Sequence, residues 1–114
     1  MTRVYKILSR AEWDAALAKG AFEGSAVDLA DGFIHFSSAS QAAETARKYF
    51  AGQPDLLLVG FEAEALGDAL KWEPSRGGDL FPHLYATLPT ALAVEARVVA
   101  LDVDGVPVLG DLAE

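Results

Sequence analysis

The sequence predicts an α+β fold: a single domain over residues 1–114, built on a mixed or mostly antiparallel sheet of about six strands, with two helices early in the chain. The length is that of one ordinary domain with one core. Two capping-box patterns fall within the first 41 residues and each opens a helical stretch, whereas alternating or continuous apolar runs of strand length dominate the remainder. With most strands following the helices, the order is that of an α+β fold rather than a repeating strand–helix one.

Arg3 to Leu8 is predicted as the first strand, and Ser9-Arg10-Ala11-Glu12 as the capping box that starts a helix. Trp13, Ala16 and Leu17 share one helical face and are expected in the core, and Lys19-Gly20 closes the helix with a C-terminal charge and a C′ glycine. Ala21 to Ala30 has no sustained period and reads as a loop running into a turn at Asp31-Gly32. Phe33 to Ser38 then alternates as a strand, with Phe33, His35 and Ser37 on one face. Ser38-Ala39-Ser40-Gln41 caps a second, alanine-rich helix over Gln41 to Phe50.

Leu56 to Phe61 is an almost unbroken apolar run, as expected of a buried central strand. Glu62 to Asp68 is an acidic connection with room for a turn of helix, and Ala69 to Glu73 a further strand. The turn-rich Pro74-Ser75-Arg76-Gly77-Gly78-Asp79 forms a loop of the kind that carries function on a rigid scaffold. Phe81 to Tyr85 and Ala91 to Leu101 are strands, and Asp104-Gly105 turns the chain into a terminal hairpin over Val106 to Leu109.

Charge and composition exclude several functions. Seventeen acidic residues stand against nine basic ones, a net −8, and the basic residues are scattered, so a nucleic acid is an unfavourable partner. No apolar stretch is long enough for a membrane helix and the N-terminus lacks a signal-peptide core, which points to a cytoplasmic protein. The absence of cysteine rules out disulfides, thiolate zinc and a thiol nucleophile.

The chemistry concentrates around the two histidines. His35 and His83 lie in matching settings, with aromatic and aliphatic neighbours, a turn former nearby and a hydroxyl two residues on. Glu73 is wedged between Trp72 and Pro74, an unusual place for a merely solvated carboxylate. His35, Glu73 and His83 are therefore the candidate proton-transfer set. Asp31, Ser37, Ser38, Arg76 and Tyr85 are candidate ligand-binding groups, the serines because a capped helix start attracts an anion and Arg76 because a loop guanidinium can grip one. The histidine spacing matches no metal motif, and neither a G-x-S-x-G elbow nor a phosphate-binding glycine loop is present.

The motifs Val4-Tyr5-Lys6-Ile7, Trp13, Asp31-Gly32-Phe33-Ile34-His35-Phe36-Ser37, Gln41, Leu70-Lys71-Trp72-Glu73 and Phe81-Pro82-His83-Leu84-Tyr85 occur in the order of the bacterial domain of unknown function 952 family, which the chain resembles over nearly its whole length. Ala86 departs from the glycine common in that family after the tyrosine. The family is similar to the ADP-ribosyltransferase fold, including RNA 2′-phosphotransferases, in which a V-H-L-S strand lines the NAD site. That likeness implies a small-molecule or nucleotide ligand, with NAD the candidate cofactor. It sets His35 and Ser37 against the nicotinamide-ribose half of NAD, with Tyr85 stacking beside it and Glu73 as the carboxylate of an ADP-ribose transfer. The first strand offers Tyr5 and Lys6 where those transferases begin with His or Arg, and the late acidic residue is Glu95. A ligand-sensing or protein-interaction module with an inactive transferase-like pocket is the alternative implied by these departures.

Overall fold

The computed structural model describes residues 2–114, apart from the side chain of Arg76. The elements run β1 (Arg3–Ser9), α1 (Arg10–Lys19), β2 (Ala21–Phe22), α2 (Ala26–Asp31), β3 (Ile34–His35), β4 (Ser37–Ser38), α3 (Ala39–Tyr49), β5 (Leu56–Glu62), β6 (Leu70–Pro74), β7 (Leu80–Leu84), β8 (Leu88–Pro89), β9 (Ala93–Leu101) and β10 (Pro107–Val108). Tight 3-10 turns occupy Ala63–Ala69, Arg76–Gly78 and Thr90–Leu92. The main sheet has the order β10-β9-β5-β1-β4, a three-stranded sheet has the order β3-β7-β6, and β2 pairs with β8. All these pairings are antiparallel, so the protein is a compact α+β domain around a curled antiparallel sheet.

β1 and β5 lie at the centre because both are apolar on both faces. On one face Val4, Leu8, Leu57, Val59 and Phe61 pack against Trp13 and Ala16 of α1, with Trp13 edge-on to Phe61 at 6.3 Å between centroids. On the other, Tyr5, Ile7 and Leu58 meet Ala42 and Ala46 of α3, whose small side chains let the helix lie close to the sheet. Ser9 caps α1, accepting from the Glu12 amide while Glu12 accepts from the Ser9 amide, and Gly20 ends the helix in the left-handed region at φ 89°.

The structure corrects four expectations. Among the described residues there are ten strands rather than about six, because the predicted strand Phe33 to Ser38 divides in two and the two-residue strands β2 and β8 lack any periodic signal. Ala21 to Ala30 is not a loop: α2 lies within it, and Asp31-Gly32 is that helix's end, with Gly32 at φ 88° donating to the Asp28 carbonyl. Phe33 to Ser38 is not one strand, since β3 pairs with β7 whereas β4 pairs with β1. The change of sheet occurs at Phe36, whose amide donates to the Pro82 carbonyl and whose ring is buried edge-on to Phe61. Leu17 is half exposed rather than in the core, because α1 buries only its Trp13 and Ala16 stripe.

Phe61 joins both helical and strand contributions to the core, touching Trp13 and Phe36 with no exposed surface of its own. Phe61→Ala is therefore expected to cost about 3–5 kcal/mol, measured as the loss of unfolding free energy in urea.

Candidate functional site

The site is built where the two sheets meet. β3 and β7 pair with His35 directly opposite His83, so their side chains leave the same face of the small sheet. The rings lie edge to face with centroids 5.6 Å apart. Phe33, two residues before His35, stacks on the His83 ring at 4.0 Å and lies 5.3 Å from the ring of Tyr85. Glu73 on β6 sits diagonally across from His83, and its Oε1 accepts from His83 Nδ1 at 2.8 Å and from the Tyr85 hydroxyl at 2.7 Å.

Each histidine is backed by a carboxylate. His35 Nδ1 meets Asp28 Oδ1 at 2.6 Å and its Nε2 meets Asp31 Oδ2 at 2.9 Å. Asp28 is almost fully buried and accepts further from Lys6 Nζ, from the His35 amide and from the Ser25 amide at the start of α2. Lys6 completes its three donations with the His35 carbonyl at 3.0 Å. Burial alone pushes the Asp28 carboxyl up, but hydrogen bonds from His35 and Lys6, the ammonium charge and the Ser25 amide together hold it well below the usual carboxylate range. Burial lowers Lys6, with Asp28 opposing that effect. Hydrogen bonds from Tyr85 and then His83 hold Glu73 below its ordinary value, and the same bond raises the Tyr85 hydroxyl.

A carboxylate can only accept, so Glu73 fixes His83 with the proton on Nδ1. In the neutral ring this leaves the Nε2 lone pair as a proton acceptor. His35 differs, because both of its nitrogens face carboxylates and only a doubly protonated ring donates to both. The pair thus places a candidate base beside a candidate acid.

Both rings line a cavity of about 660 Å³, a size typical of small-molecule sites, together with Lys6, Asp31, Ser37 and Thr45. Val27, Phe36, Phe50 and Phe81 add apolar surface to its lining. Of the residues singled out in the sequence, His35, His83, Asp31 and Ser37 come together on this wall. Glu73 and Tyr85 reach it through His83. Ser37 is buried with its hydroxyl 2.9 Å from Thr45 Oγ1, whereas Ser38 turns to Ser40 at the start of α3 and stands apart from the cavity. The side chain of Arg76 lies outside the described residues. Among the described residues no cluster of three or more His, Asp or Glu is arranged to hold a metal, and no helix is long and apolar enough to cross a membrane.

Asp28, Lys6 and Phe33 were not anticipated as site residues. Asp28 carried a signal, since Ser25-Ala26-Val27-Asp28 has the same serine-to-acid spacing as Ser9 to Glu12. Lys6 carried one too, as a single cation within Val4-Tyr5-Lys6-Ile7-Leu8.

The family described as "Protein of unknown function (DUF952)" matches residues 7–96. The fold is similar to the crystal structure of protein CC0527 from Caulobacter crescentus, with 62% identity, 96% of each chain covered and a TM-score of 0.94. It is also similar to the solution NMR structure of CC0527, with 63% identity, 96% of this chain and 95% of that one covered, and a TM-score of 0.87. No curated protein matches the sequence. These matches bear on the family and not on the ADP-ribosyltransferase likeness.

Asp28→Asn leaves the Lys6 ammonium buried without its counter-charge and is expected to cost about 3–5 kcal/mol. The pH dependence has a definite sign. Asp28 is depressed in the folded chain, so the stability it contributes is complete above the unfolded carboxyl value of about 4 and is lost as pH falls from there through the folded value. Thermal unfolding from pH 6 down to pH 2 should therefore show a loss of melting temperature below about pH 4 that is shallower in Asp28→Asn.

Proposed function

This chain belongs to the DUF952 family of proteins of unknown function, and on that footing we propose that its cavity binds a small nucleotide, NAD or a close relative, with His83 accepting and His35 holding a proton. The observation that carries this reading is the paired register of His35 and His83, which sets two carboxylate-backed imidazoles on one wall of a cavity of ligand size. The chemistry of the wall supports the cationic nicotinamide-ribose part of such a ligand, with the Asp31 carboxylate among the lining groups. Lys6 is engaged by Asp28 and the His35 carbonyl, and the polar groups that line the cavity include Asp31, Ser37, Gln53 and the imidazoles, which suit hydroxyl and amide groups.

In the finer reading the activity is ADP-ribose transfer. The bond between ribose and nicotinamide breaks, nicotinamide leaves neutral, and an acceptor hydroxyl forms the new C–O bond while its proton passes to His83 Nε2. Glu73 then acts through His83, holding the ring in its productive tautomer, and Tyr85 and Phe33 hold Glu73 and the ring in place. His35 and Ser37 lie against the ribose.

A second reading has its own support, because Asp28, Lys6 and both nitrogens of His35 already find partners within the chain. A network so fully satisfied suits a ligand-sensing or protein-interaction module that performs no reaction.

Titration calorimetry with NAD and a nicotinamide-release assay separate these. The transferase reading expects saturable NAD binding, nicotinamide release and a loss of release of at least tenfold per folded molecule in His83→Ala, the folded fraction being read from its melting curve. Binding without release favours the sensing module. Neither binding nor release removes the nucleotide proposal.

A further inference from the structure

β9 is an edge strand for most of its length. β5 covers one side throughout, but β10 covers the other only at Ala100 and Leu101. Among the described residues no strand pairs with the other side of Ala93 to Val99. Open edges are usually guarded by lysine, proline, short length or a bulge. This strand has nine residues and neither proline nor lysine, and its irregularity is confined to the N-terminal end, opposite Gly60 and Phe61. Its two charged residues do not guard it. Glu95 is held by Arg3 and Arg97, and Arg97 by the Leu109 and Asp111 carbonyls. Ala96, Val98 and Ala100 remain as an exposed stripe, with Val98 at 66% exposure and Val94 and Val108 also open.

We infer that this edge pairs with the same edge of a second copy of the chain, antiparallel, about a two-fold axis through Ala96. The open stretch Ala93–Val99 is bounded by β10, and Ala96 is its midpoint. Pairing about Ala96 sets Glu95 opposite Arg97 of the partner subunit and Val94 opposite Val98 of the partner subunit. Charges already bound within each chain then face opposite rather than like charge, and apolar side chains meet, as cross-strand pairs favour. A two-fold axis keeps each residue on its own face of the sheet, so the neighbouring registers centre on Glu95 or Arg97 and set like charges against each other. The sequence around Ala96 therefore selects one register. The result is a continuous sheet of ten strands across two chains, and none of the cavity-lining residues lies on β9 or β10.

The native chain contains no cysteine, so a single introduced thiol reports the register cleanly. Light scattering is expected to give twice the chain mass for the native protein and the single-chain mass for Val98→Lys, with the melting temperature of the separated variant showing a retained fold. Ala96→Cys should form a disulfide-linked dimer on mild oxidation, because directly opposed residues bring their Cβ atoms within bridging range, whereas Val108→Cys should not. A native chain that stays monomeric at the highest attainable concentration overturns the inference. So does a dimer that survives Val98→Lys, or one in which Ala96→Cys links no better than Val108→Cys.

Discussion

A lysine in the middle of a strand buried on both faces needs an anion beside it, and in this fold Asp28 supplies that anion. The consequence spreads through the chain. The Asp28 carboxylate ties β1 to the start of α2 through Ser25 and to β3 through the amide and ring of His35. β1 is thereby fixed to the α2–β3 segment, with Lys6 and Asp28 22 positions apart in sequence. Burial of this charge is tolerable because its oxygens are richly supplied with donors, which is the condition under which an internal ion pair is retained.

The rest of the site follows from that anchor. With His35 held by Asp28, the antiparallel register of β3 and β7 brings His83 to its side, and the β6–β7 hairpin brings Glu73 behind His83. Phe33, ahead of His35, then covers the second imidazole. Backbone pairing sets positions, and carboxylates set ring orientation and tautomer. The Tyr85 hydroxyl serves the same end by sharing Glu73 Oε1. A cavity wall assembled from strand pairs rather than from mobile loops suits a site in which proton positions matter.

Much of this was legible in the sequence, and what was not has physical causes. Ser9-x-x-Glu12 and Gly20 marked α1 because capping is local chemistry, and the continuous apolar run from Leu56 marked β5 because burial on both faces erases alternation. The histidine strands stood out because an imidazole is conspicuous among aromatics, and their convergence was inferred from matched settings. α2 was hidden because six residues leave no helical period to detect, although Ser25-x-x-Asp28 marked its start. The split of Phe33–Ser38 was hidden because each strand residue obeys the same alternation whichever sheet it joins. Asp28 was read as a loop residue, since its role is defined by Lys6, 22 positions earlier, and by the ring of His35. Leu17 illustrates the reverse error, in which a helical stripe exists but the sheet beneath covers only part of it.

We propose that His35 and His83 form one ligand site rather than two separately satisfied core histidines. These are the two histidines of the chain, so the set of ring ¹⁵N resonances lost in His35→Ala assigns both. Titrating NAD into ¹⁵N-histidine-labelled protein should move the His83 Nε2 and His35 Nε2 signals along a common binding curve, while His83 Nδ1 retains the protonated shift set by Glu73. Signals that stay fixed at saturating NAD, or a His83 ring carrying its proton on Nε2, contradict the account.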